Sequence, residues 1–177
     1  MDPKNYVVRK AEFADKAKLL KLYHQVAASG SIALTEWEIT ESLIEGFIQK
    51  SFDTGIQLVL FAPNNPDELL AEIHCYKTGP EIFKHVLSNL TVVVHPAFQG
   101  SGLGRIVFGA LLSEVEMNRS DILRVELLVR ESNQRAITLY QKMGFKIEGK
   151  LEKRINAHGN TYEADIPMAW FNSAFQL

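Results

Sequence analysis

The chain has 177 residues, 46% of them hydrophobic, with a formal net charge of −2; that suits one compact domain with a real core and argues against a nucleic-acid binder, which needs a basic excess. A single cysteine, Cys75, excludes an intrachain disulfide and a Cys-rich metal cluster. No run reaches the ~18 apolar residues of a membrane span, and "MDPKNYVVRK" lacks the apolar stretch of a signal peptide.

A cytoplasmic chain forming one domain, 1–177, is the expectation. "YVVRKAEF" reads as a first strand. From Asp15, "KAKLLKLYHQV" sets Leu19, Leu22, Tyr23 and Val26 at helical spacing. "GSIALTEWEI" opens a second helix: Thr35 and Glu38 are spaced as a capping box, and Trp37, Leu43, Ile44, Phe47 and Ile48 form its buried stripe. Strands at 56–61 and 69–76 flank the turn cluster "APNNPDE". "LSNLTVVV" (87–94), apolar on both faces near its end, predicts a central strand that Pro96 stops. A helix then runs from Gly102 to about Asn118, with Leu103, Ile106, Val107, Ala110, Leu111 and Val115 inward. "ILRVELLV" (122–129) is another buried strand, and "SNQRAITLYQKMG" a short helix with Ser132 or Asn133 as N-cap and Gly144 beyond its end. "FKIEGKLEKRI" and "TYEADIPMAWF" flank "NAHGN", a hairpin turn in which Gly159 can take a positive φ. This order predicts a layered α/β (α+β) domain: a mixed, mostly antiparallel sheet of six to seven strands flanked by about four helices.

"HPAFQGSGLGR" (95–105) carries glycine at 100, 102 and 104, between a buried strand and a helix start. A helix N-terminus offers unpaired N–H groups and partial positive charge, and binds phosphate readily. Glycines permit a loop whose N–H groups converge and let a pyrophosphate approach without meeting a Cβ. Arg105 adds a charge-assisted contact. The dinucleotide fingerprint needs glycine where Arg105 stands, and no "GK[ST]" of a P-loop occurs. Q-x-x-G-x-G is met by Gln99, Gly102 and Gly104. A glycine-rich turn without a ligand fits the same letters.

"LTVVVHPAFQGSGLGRIVFGALL" followed by "RVELLVRESNQRAITLYQKMGFKIEG" resembles the GNAT superfamily of acetyl-CoA-dependent N-acetyltransferases. The second segment holds N-x-x-A-x-x-L-Y-x-x-x-G-F at Asn133, Ala136, Leu139, Tyr140, Gly144 and Phe145. The strand and helix order extends the likeness over essentially the whole chain. The tail from Gly144 further resembles bacterial-type members that acetylate amino acids, other small amines or protein N-termini.

The resemblance implies acetyl-CoA as co-substrate. It implies backbone contacts from Val92, Val93 and Val94 to the pantetheine arm, one N–H polarising the thioester carbonyl. It places the pyrophosphate on Gln99, Gly100, Ser101, Gly102, Leu103, Gly104 and Arg105. Asn133 matches a contact to the cofactor arm, and is equally a plain helix cap. Tyr140 matches the tyrosine that protonates the departing thiolate; core packing with Ala136 and Met143 is its other reading. A thiol near ~8.5 and a phenol near ~10 make that transfer uphill by about 2 kcal/mol before any tuning.

An amine must be neutral to attack, and only about one lysine-like amine in a few thousand is neutral at pH 7. Base candidates are Glu72 and His74, which share a strand face with Tyr76, and Glu126. A rim charge, a satisfied strand histidine and a surface ion pair are the alternatives. Where some members that modify protein N-termini place glutamate, this chain has Leu128. Thr35, Trp37, Tyr162 and Asp165 are the acceptor-site candidates, on the segments that border the acceptor in the family. No metal-ligand spacing occurs, and "KLEKR" (150–154) reads as a solvated strand edge rather than a nucleic-acid patch.

The expected function is acetyl transfer from acetyl-CoA to a primary amine, by direct attack on the thioester. The acceptor is a small amine or amino acid, or a peptide. The alternatives are a protein N-terminal acetyltransferase, a non-catalytic acyl-CoA-binding module, and a nucleotide- or phosphate-binding protein of another class. Neither nucleic acid nor membrane is an expected partner; a homodimer is compatible with the family.

Overall fold

Apolar stripes at helical spacing and runs of β-branched residues become the elements expected of them. The computed structural model describes residues 6–30, 32–62, 65–158 and 161–176. The chain divides into two compact units, Met1–Tyr76 with Thr91–Glu114 and Lys77–Leu90 with Val115–Leu177.

The first unit holds β1 (Val7–Lys10), α1 (Lys16–Ala28), α2 (Glu41–Thr54), β2 (Gly55–Ala62) and β3 (Asn65–Tyr76). It also takes the second half of β4 (Val86–Val94) and most of α3 (Leu103–Asn118). β1, β2 and β3 pair antiparallel, with Val59 opposite Glu72 and Gln57 opposite His74. β2 is buried at every position from Ile56 to Phe61, so both of its faces are covered. Its core joins Leu19, Leu22, Tyr23 and Val26 of α1 to Ile44 and Ile48 of α2 and to Val59, Phe61, Leu69 and Val93. Each such aliphatic side chain contributes about 1.5–3 kcal/mol by leaving water.

The second unit holds β5 (Arg124–Arg130), α4 (Gln134–Lys142), β6 (Lys146–Ile147), β7 (Leu151–His158) and β8 (Thr161–Phe171). The first half of β4 runs parallel to β5, with Val86 opposite Arg124 and Leu87 opposite Val125. β5, β6 and β7 all pair antiparallel with β8. The strand order is β1-β2-β3-β4-β5-β8-β6, with β7 also on β8.

The sheet thus has eight strands where six or seven are expected. The difference lies in "FKIEGKLEKRI", which splits into β6 and β7. Opposite the break stands Pro167, whose carbonyl accepts from Glu148 N at 2.9 Å. A strand residue points its N–H to the same side as its C=O, and proline has no N–H to give, so the ladder lapses there.

The second helix starts later than expected. Thr35 and Glu38 do form the reciprocal capping box, but over a short 3-10 turn, Glu36–Glu38. α2 has its own cap, Thr40, whose hydroxyl accepts from Leu43 N at 3.2 Å. Trp37 therefore does not belong to the buried stripe: it is 78% exposed. The expected turn residue Gly159 lies outside the described residues.

Candidate active site

Beyond β4, a 3-10 turn at Pro96–Phe98 is capped by His95, whose Nδ1 accepts from Ala97 N at 3.2 Å. Gln99 Nε2 donates to Val94 O at 3.4 Å, and Ser101 donates to Phe98 O from both its hydroxyl and its amide. Gly100 and Gly102 have φ of +86° and +92°, values that side-chain-bearing residues rarely adopt. The first turn of α3 closes with Ile106 N on Gly102 O at 3.2 Å. The N–H groups of Leu103, Gly104 and Arg105 precede that bond and have no acceptor within the helix. Leu103 buries its side chain, 1% exposed, and so anchors the helix end that presents its N–H.

Dihedral freedom explains two of the three glycines. Gly104 is helical, and a Cβ there would meet Val94 Cγ2 at an ordinary 3.7 Å. A Cβ on Gly102 would meet nothing within 4 Å, so it would project into open space at the start of α3. Val93 is buried in the core, while Val92 and Val94 are half-buried. Asn89, earlier in the same strand, has φ +52°. Asparagine tolerates this left-handed conformation better than other side-chain-bearing residues do.

Glu72 and His74 face the helices of the first unit and are 0% and 1% exposed. Glu72 Oε1 lies 2.8 Å from His74 Nδ1 and accepts from Gln57 Nε2 at 2.8 Å; Oε2 accepts from the Tyr23 hydroxyl at 2.8 Å. Phe47 of α2 covers the imidazole at 4.4 Å between ring centres. Burial, then the Glu72 charge, pushes the Tyr23 phenol well above its usual range. Tyr23 and Gln57 were not foreseen as site residues. Tyr23 sits on the apolar stripe of α1, and the lone Gln in "IQLVLF" was the clearer hint. Glu126 is engaged elsewhere: it accepts from Ser88 Oγ at 2.7 Å and from Arg124 Nε at 2.9 Å.

In the second unit, Asn133 Oδ1 caps α4 by accepting from Ala136 N at 3.1 Å. Tyr140, one of two buried side chains of this helix, is 8% exposed and lies 6.1 Å from the Phe145 ring. Burial pushes its phenol up to about 12. Gly144, φ +94°, ends the helix against Trp170, 3.3 Å from where a Cβ would be.

Of the acceptor candidates, Thr35 and Trp37 are exposed in the first unit. Tyr162, 56% exposed, and Asp165, 8% exposed, belong to the second. Burial raises the Asp165 carboxyl above its usual range, against the pull of Arg154, whose Nε lies 3.5 Å away. Among the described residues no group of His, Cys, Asp and Glu could hold a metal ion, and no helix is long and apolar enough to cross a membrane.

Residues 24–145 match the family model of the acetyltransferase (GNAT) family. Spermidine N(1)-acetyltransferase of Escherichia coli K12 is 26% identical over 91 residues, 51% of this chain and 48% of the relative. The chain thus spans about half the length of the curated relatives it matches. A GNAT-family acetyltransferase from Streptococcus pneumoniae superposes with a TM-score of 0.83 at 23% identity, over 94% of this chain and 99% of that one. The Salmonella typhimurium protein yncA, solved with its cofactor acetyl-CoA, gives 0.80 at 18% identity over 94% of each. At such identities the two structures speak for the fold. The family model, which runs from α1 through the glycine loop to Phe145, speaks for descent, and on it the chain belongs to the acetyltransferase (GNAT) family.

Proposed function

We propose that the protein, working as one acetyltransferase domain over 1–177, moves the acetyl group of acetyl-CoA to a small primary amine. The observation that carries this reading is the loop of residues 100–105: two left-handed glycines ahead of a helix end whose first amides have no helical acceptor. The open space beside Gly102, which a Cβ would fill, suits a pyrophosphate laid on the backbone.

Acetyl-CoA, when bound, supplies an acyl carbon already activated as a thioester. The amides of Gly102 to Arg105 and the Arg105 guanidinium would hold its pyrophosphate. The backbone of Val92 to Val94 would align the pantetheine arm and point an N–H at the thioester oxygen. Asn133, its oxygen occupied by the helix cap, would offer its amide nitrogen to the arm. In the reaction the amine nitrogen bonds to the acyl carbon, the C–S bond breaks, and one proton leaves the nitrogen while the sulfur gains one.

Glu72 and His74, which lie 2.8 Å apart, are the candidates to take the amine proton; Glu126, engaged by Ser88 and Arg124, is the alternative. Burial pushes the Tyr140 phenol up to about 12, and the same burial would raise the thiol that it faces. The role of Tyr140 is a hydrogen bond to the sulfur as negative charge grows there. A small polyamine-like acceptor is supported by the relative that acetylates spermidine. Tyr162 would wall its carbon chain and Asp165, also on β8, would hold a distal ammonium.

The purified protein, given acetyl-CoA and a panel of spermidine, amino acids, aminoglycosides and short peptides, should release free thiol with at least one amine. A panel that yields no thiol, with protein that binds acetyl-CoA, would leave only a binding module.

A further inference from the structure

We infer that Glu72, held by Tyr23 and Gln57, fixes the proton of His74 on Nδ1 and leaves Nε2 as a lone-pair acceptor. Tyr23 and Gln57 are then positioning residues for the base; this rests on the proposed role of Glu72 and His74, but the tautomer can be measured apart from it.

Three groups converge on one carboxylate. Tyr23 gives its hydroxyl hydrogen from α1, Gln57 an amide hydrogen from β2, and His74 lies two residues away on β3. The Tyr23 oxygen is also 3.4 Å from His74 Nδ1, within reach of the same side of the ring. A carboxylate only accepts, so the 2.8 Å contact from Oε1 to Nδ1 calls for a hydrogen on Nδ1. His74 Nε2 is buried and has no hydrogen-bond partner among the described residues. Either other state, an Nε2–H tautomer or an imidazolium, would bury an unpaired N–H donor. An unpaired acceptor is the better tolerated of the two. The surroundings keep the ring in place: Phe47 from α2 at 4.4 Å and Tyr76, stacked at 5.8 Å, cover it. Tyr23, Glu72 and Tyr76 are the titratable groups that face it. With the ring fixed by these contacts, Nε2 carries its lone pair on the side away from Glu72.

The test is 15N NMR of the full chain labelled at its five histidines. The His74 resonances would be assigned with His74→Asn, or by removing each of the other histidines in turn if that variant fails to fold. At neutral pH the expected result is a protonated Nδ1 and a bare Nε2. Tyr23→Phe and Gln57→Leu should shift the population toward Nε2–H and lower kcat about tenfold with little change in KM. A purely structural role would leave the tautomer signal where it was. A wild-type spectrum showing Nε2–H, or both nitrogens protonated, overturns the inference. If Nδ1–H is found but His74→Asn keeps full kcat/KM, the tautomer assignment stands and the proposed base falls.

Discussion

Arg9 holds Asp15 with both arms of its guanidinium, Nη1 to Oδ2 and Nη2 to Oδ1, each at 2.8 Å. Asp15 stands at the head of α1, and its Oδ2 also accepts from Glu12 N at 2.9 Å. Burial alone would raise this carboxyl, but the Arg9 bonds and the Glu12 amide outweigh it and hold it below the usual range. A depressed carboxylate stabilises the fold above its unfolded pKa of about 4, and that contribution fades as acid protonates it. Asp15→Asn should lower the urea midpoint at pH 7, with the gap from wild type closing as the pH falls below the ordinary carboxylate range. A gap that persists unchanged at low pH would mean that packing, not charge, holds this helix start.

Tyr140→Phe should bind CoA as wild type does yet turn over roughly 10–100-fold more slowly, the worth of one hydrogen bond to a charged group. Because burial pushes the phenol up to about 12, it stays protonated throughout the working range. Its removal should therefore leave the alkaline limb of the pH–rate profile unmoved up to about pH 10. Stopped assays of thiol release across that range measure both.

The loop glycines separate by experiment. Gly102→Ala forces a side chain onto φ +92° and should cost about 1–2 kcal/mol of stability, with weaker CoA binding. Gly104→Ala is helical and meets only Val94 at 3.7 Å, so thermal unfolding should show no loss. Any fall in its CoA affinity, read by calorimetry, then reports how closely the backbone approaches the pyrophosphate.

Gly55, where α2 meets β2, has no room for a side chain. A Cβ there would overlap the Cys75 carbonyl oxygen and lie 2.6 Å from Tyr76 Cα, both backbone. Gly55→Ala must spread the β2–β3 pair and should cost roughly 2–4 kcal/mol, measured by urea denaturation.

Much of this molecule was legible in its residues. The apolar stripe Leu19, Leu22, Tyr23 and Val26 became the buried face of α1, and Asn133 and Gly144 close the two ends of α4 as their types suggest. The failures have physical causes. Trp37 sits at helical spacing, but its capping box supports only a 3-10 turn, and spacing cannot say which turn of chain continues. Likewise, the interruption between β6 and β7 depends on Pro167, twenty residues or so away along the chain, which no local pattern in "FKIEGKLEKRI" reveals.

The sequence by itself determined the family, the glycine loop and the order of elements, because dihedral freedom, period and chain order are properties of neighbours. Only the tertiary structure decided that Tyr23, Gln57, Glu72 and His74 make one buried cluster and that burial pushes the Tyr140 phenol up to about 12. Hydrogen-bond partners and desolvation come from residues far apart in the chain, and their effect exists only once folding has brought them together and removed the water.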